Sequence, residues 1–73
     1  MIRDAELAVR FTFHPATGTQ ADRYEQMLSN AGELAMWIVE HSPDSQEQSL
    51  ALDKLDEVVF WTNAAIARRE NAL

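Results

Sequence analysis

Two long stretches of this chain repeat apolar residues at helical spacing, and one short stretch near its start alternates them. Between Gln20 and His41, the positions Tyr24, Met27, Leu28, Ala31, Leu34, Ala35 and Ile38 recur every three or four residues, which places them on one side of an α-helix. Ala51, Leu52, Leu55, Val58, Val59, Thr62, Ala65 and Ile66 repeat the pattern further on. Between the two stretches, Ser42-Pro43-Asp44-Ser45 is the clearest punctuation. Ser42 can cap with Pro43 at the first helical position, or Ser45 and Gln48 can form a capping box. A connection this short makes the two helices antiparallel neighbours, a helical hairpin, with a first helix over 19–41 and a second over 42–71. Thr17 or Thr19 suits the N-cap of the first helix, Asp22 its positive end and His41 its negative end.

The opening residues read differently. Leu7, Val9, Phe11 and Phe13 alternate with Ala8, Arg10 and Thr12, the period-2 signal of an extended segment with one apolar face. A lone strand leaves its backbone unpaired, so an arm of residues 1–18 is expected to lie on the helices or pair with another chain. His14-Pro15-Ala16-Thr17-Gly18 ends it. The expected architecture is all-α: an antiparallel hairpin with a short N-terminal extended arm, within one domain spanning 1–73.

Both helices also carry apolar residues off this seam. Met36 and Trp37 on the first, and Leu50, Phe60, Trp61 and Ala64 on the second, are more than two helices bury between them. A chain of 73 residues without cysteine has little core and no disulfide to supplement it. A homo-oligomer follows as the expectation, with Trp37, Phe60 and Trp61 as interface residues and ligand stacking as their alternative role.

Charge narrows the partners. Six basic against twelve acidic residues give a net charge of −6, which argues against DNA or RNA, where many phosphates are neutralised together. A small anion needs only one or two placed cations, and Arg10, Arg23, Arg68 and Arg69 are available. No apolar run is long enough to cross a membrane, and Met1 to Glu6 lack the apolar core of a signal peptide. The expected setting is the cytoplasm, with nothing cleaved.

Candidate chemistry is sparse. Asp53 and Asp56 with Glu57 have the carboxylate spacing of a Mg²⁺ site in all-α nucleotide pyrophosphohydrolases, or form a solvated acidic face paired around Lys54. His14 and His41 have no second histidine or cysteine at ligand spacing, so no metal or cofactor is expected. His41 fits the dipole of the first helix, and His14 either binds a ligand or packs in its turn. Asn63 and Arg68 lie about 140° apart on one helix and serve different neighbours. Arg68 and Arg69 either complement the helix end or bind an anion. With no glycine-rich phosphate loop, nucleophile elbow or Ser/His/Asp set, the chain is poorly equipped as an enzyme.

Five blocks then add up to a resemblance. Phe11-Thr12-Phe13-His14-Pro15, Arg23-Tyr24-Glu25, Ser42-Pro43-Asp44-Ser45, Ser49 to Glu57 and Trp61 to Arg68 resemble, in order and spacing, the helical-hairpin domain of phage anti-CBASS and anti-Thoeris sponge proteins. The resemblance runs from residue 11 to residue 69. It implies a non-enzymatic immune-evasion protein, a compact homohexamer that sequesters the cyclic nucleotide messengers of bacterial defence in the cytoplasm of the infected host. The implied ligands are cyclic dinucleotides, cyclic trinucleotides and, in some members, cyclic ADP-ribose isomers. Carried over residue by residue, Phe13 would stack on a purine with His14 beside it. Arg10, Arg68 or Arg69 would meet phosphates, and Asn63 a base edge or ribose. Leu28 stands where members often carry a basic residue. The alternative is an oligomeric helical-hairpin module that binds a protein and no nucleotide.

Overall fold

The computed structural model describes residues 3–70 and contains three helices among them: α1 (Asp4–Phe11), α2 (Gln20–His41) and α3 (Gln46–Arg69). α2 and α3 form the hairpin read from the sequence. The turn begins where α2 runs out of partners for its last carbonyls. The Ser42 backbone N–H and side-chain hydroxyl both donate to the Ile38 carbonyl, and His41 Nδ1 donates to that of Trp37 at 2.9 Å. The His41 ring also stacks on the Trp37 indole at 4.5 Å.

α3 starts at Gln46, four residues later than position 42, because Ser45 is its cap. The Ser45 hydroxyl accepts the Gln48 backbone N–H at 3.1 Å. The Gln48 side chain does not close the box on the cap residue. It turns back and donates to the Ser42 carbonyl and hydroxyl, both at 3.0 Å, tying the start of α3 to the end of α2.

The extended arm is corrected by the structure. Residues 4–11 are a helix, and the stretch after Phe11 is irregular, with Thr12 in the extended region. An isolated strand cannot satisfy its backbone, whereas a helix does so internally, and the local charges favour it. Asp4 and Glu6 stand in the first turn, Arg10 in the last, and the Arg10 Nε–Glu6 pair at 3.2 Å spans one turn. His14 Nε2 then donates to the Val9 carbonyl at 2.6 Å and seals the end of the helix. Gly18, in the left-handed region at φ 56°, turns the chain into α2.

The seam between α2 and α3 is narrower than the periodicity suggested. Val59 is its one buried apolar side chain among the described residues, with Tyr24, Met27, Ala31, Ala35, Ile38, Leu52, Leu55 and Ile66 half-buried. Leu28, Leu34, Ala51, Val58 and Ala65, expected in the seam, are exposed. The molecule is a slab of 45 × 32 × 15 Å, one helix thick, so nothing covers its faces.

Candidate functional site

Ala64, Ala65 and Arg68 stand three, four and seven residues after Trp61 on α3, and so share one face of it with the indole. The two alanines leave a low floor between the indole and the guanidinium. Arg10 from the last turn of α1 and Arg69 complete a cleft of about 330 Å³. Three guanidiniums therefore meet in a protein of net charge −6. Ala65, read as seam, is part of this floor.

One carboxylate organises two of these cations. Glu6 accepts from both terminal nitrogens of Arg69, at 2.9 and 2.5 Å, while Arg10 Nε donates to it from within α1. The Arg69 fork, with Arg10 beside it, holds the Glu6 carboxyl well below its usual range, at about 2. The partnership in turn raises the Arg69 pKa. Among the described residues no carboxylate pairs with Arg68.

A second cluster locks the other side of the α3 terminus to the start of α2. Gln20 is 2% exposed. Its Oε1 accepts the Thr17 N–H at 2.9 Å, and its Nε2 donates to the Ile66 carbonyl and to Glu70 Oε1 at 3.2 and 3.1 Å. Arg23, one of the four candidate anion-binding arginines, is committed here. Its two terminal nitrogens fork onto Glu70 at 2.6 and 2.7 Å and its Nε donates to Thr19. That fork, with the Gln20 amide, lowers the Glu70 pKa to about 2.

The structure thus gathers Arg10, Arg68, Arg69 and Trp61, and leaves the other candidates apart. Phe13 is 85% exposed in the irregular stretch after α1, without a partner ring among the described residues. His14 is engaged in closing α1. Asn63 is half-buried on another side of α3, its Oδ1 shielded from solvent and without a hydrogen-bond partner. Trp37 and Phe60 are exposed. Of the acidic set, Glu57 pairs with Lys54 at 3.1 Å, and among the described residues no three histidine or carboxylate groups converge to hold a metal ion. No described helix is long and apolar enough to cross a membrane.

Sequence reasoning missed Glu6, Gln20 and Glu70. The first two carry a signal: Glu6 stands four residues before Arg10, and Thr17-x-x-Gln20 is a capping-box spacing. Glu70 carries none, since its partners are 47 and 50 residues away.

The family model of the Acb2/Tad1 hairpin domain matches residues 3–67. The chain belongs to this family. Its members are the anti-CBASS and anti-Thoeris sponges, binding proteins with no known enzymatic activity. The Acb2/Tad1 match begins at Arg3, so α1 lies within the family unit and is not an appendage to the hairpin. It ends at Ala67, so Arg10, Phe13, His14 and Asn63 fall inside it while Arg68 and Arg69 lie just beyond. No curated protein and no solved structure matches the chain.

Proposed function

We propose that this Acb2/Tad1 hairpin protein binds cyclic oligonucleotide, or cyclic ADP-ribose type, messengers of bacterial defence and sequesters them uncleaved. The working form is a homohexamer in the cytoplasm of a phage-infected host. The observation that carries the reading is the arginine cleft of α1 and α3 in a member of a sponge family. Arg68 and the terminal nitrogens of Arg10 are donors of the kind that phosphodiesters accept, and Trp61 supplies a flat apolar wall. Phe13 stands free to stack on a purine, which is worth about 1–3 kcal/mol per base, so Phe13→Ala weakens binding roughly tenfold or more. Asn63 meets a base edge or ribose in this reading, which requires ligand entry to uncover its shielded and unmet Oδ1, and His14 flanks Phe13. Sequestration requires affinity without turnover, and nothing in the cleft is a nucleophile or a general base.

Calorimetry against cyclic di- and trinucleotides and cyclic ADP-ribose isomers tests this. The expected result is nanomolar to micromolar binding, with the ligand recovered unchanged after denaturation. Absence of binding across the panel overturns the reading, and release of linear nucleotide overturns its non-enzymatic half.

A second reading has an observation of its own. Trp37, Phe60 and Trp61 are all exposed, and such aromatics anchor protein interfaces. A hairpin that self-associates through them leaves them unavailable to another protein. Light scattering with tryptophan fluorescence therefore separates the two: a monomer with solvent-exposed indoles favours the protein-binding module.

A further inference from the structure

Resting on the cleft proposed above as the anion site, we infer that Glu6 is its positioning residue: by clamping α1 to α3 through Arg69, Glu6 sets Arg10 opposite Arg68, and Arg69 serves the clamp and not the ligand. α1 has no buried residue, and Phe11 near its end is 82% exposed, so packing holds it weakly. Among the hydrogen bonds and ion pairs of the described residues, what reaches from α1 to α3 is the Glu6 fork on Arg69. Arg10 is the one residue of α1 that lines the cleft, and it enters from the helix this clamp holds.

The donor count follows from the same contacts. Both terminal nitrogens of Arg69 are turned to Glu6. Arg10 gives Glu6 only its Nε, and its two terminal nitrogens are not spent on that carboxylate. Arg68 meets no carboxylate among the described residues. Glu6 itself does not line the cleft, so it braces the two guanidiniums without filling the space between them. The groups left for a ligand anion are those of Arg68 and the free edge of Arg10.

The experiment compares wild type with Glu6→Gln, Arg69→Glu and the exchanged pair Glu6→Arg/Arg69→Glu. Cyclic di-AMP and cyclic tri-AMP are the probes, inorganic pyrophosphate is the control without bases, and ¹⁵N relaxation of residues 4–11 reads the position of α1. Glu6→Gln is expected to mobilise α1 and weaken the better cyclic probe about tenfold or more, the cost of losing a charge-assisted contact. Arg69→Glu should do the same. The exchanged pair should re-immobilise α1 and return affinity to within about threefold of wild type, because the clamp is rebuilt without an arginine at 69. Tighter binding by Glu6→Gln would make Glu6 a competitor for the arginines and overturn the inference. An exchanged pair with an ordered α1 and no recovered affinity would overturn it too, by making Arg69 a ligand residue. If wild type binds none of the probes, the functional reading fails separately. The relaxation data then decide the clamp alone, and an α1 equally ordered in Glu6→Gln refutes it.

Discussion

Gln20 is the residue whose role is hardest to replace. A glutamine at the first position of a helix is ordinarily solvated, yet this one is buried and bonds to three residues, Thr17 just before α2 and Ile66 and Glu70 at the end of α3. Gln20→Ala removes the acceptor for the Thr17 N–H and the donor for the Ile66 carbonyl. The expected loss is about 1–3 kcal/mol, seen as a lower urea midpoint with an unchanged slope. Nearby, pH acts through Glu6 and Glu70. Both pKa values are depressed to about 2 from an ordinary 4.5, by Arg69 with Arg10 and by Arg23 with Gln20 respectively. A depressed carboxyl contributes stability that is complete above its unfolded pKa and is lost as pH falls through the folded one. The contribution of these pairs therefore holds at neutral pH and disappears between about pH 4.5 and pH 2. Thermal melts of wild type and Glu6→Gln/Glu70→Gln across that window check the assignment, because the gap between the two proteins should close as the pH drops.

At the scale of elements, the hairpin was legible because its period and punctuation agree. The helix over 20–41 is where its period placed it, although Leu28 and Leu34 fall outside the seam, and of the two possible starts for α3 the structure adopts the Ser45 cap without the reciprocal Gln48 bond. α1 was not legible from pattern because an eight-residue helix is barely two turns, too short for alternation and helical spacing to differ clearly. Leu7 and Phe11 fit both, and the deciding feature was electrostatic, the Glu6–Arg10 pair. The cleft was half legible. Trp61, Arg68 and their alanines stand together in the sequence, but the arrival of Arg10 depends on contacts 63 residues apart that no local pattern encodes. Gly32 tests the open side of α2. It lines a groove of about 370 Å³ between α2 and α3, with Leu28, Ala31 and Ala35 on its own helix and Asp53 and Asp56 across from it, and an added Cβ there meets nothing within 4 Å. Gly32→Ala should raise the stability of α2 by about 0.8–1 kcal/mol, a gain of roughly 4–8 °C in Tm by calorimetry. A fall in Tm would mean that a neighbouring chain already occupies the space the methyl enters.

The whole molecule sets the strongest demand for such a neighbour. Its accessible surface is 5880 Å², against roughly 4600 Å² for a compact monomer of its mass from the usual scaling of surface with size. Its radius of gyration is 15.6 Å, where about 11 Å is ordinary for this length. The excess surface, roughly 1300 Å², exceeds the about 800 Å² that one partner contributes to a standard interface, so there is room for more than one contact per chain. Two such contacts per chain are what the closed ring of the proposed hexamer requires. The faces available are Met36, Trp37 and Val39 on α2 and Leu50 and Phe60 on α3, all exposed. Light scattering should accordingly give a mass above twice 8.3 kDa, six copies in the reading proposed here. Trp37→Arg or Phe60→Arg places a charge in an interface core and should lower that mass, because an unpaired buried cation is costly. A wild-type protein that scatters as a monomer would remove the assembly from the proposal, and then a partner of different sequence would have to cover these faces.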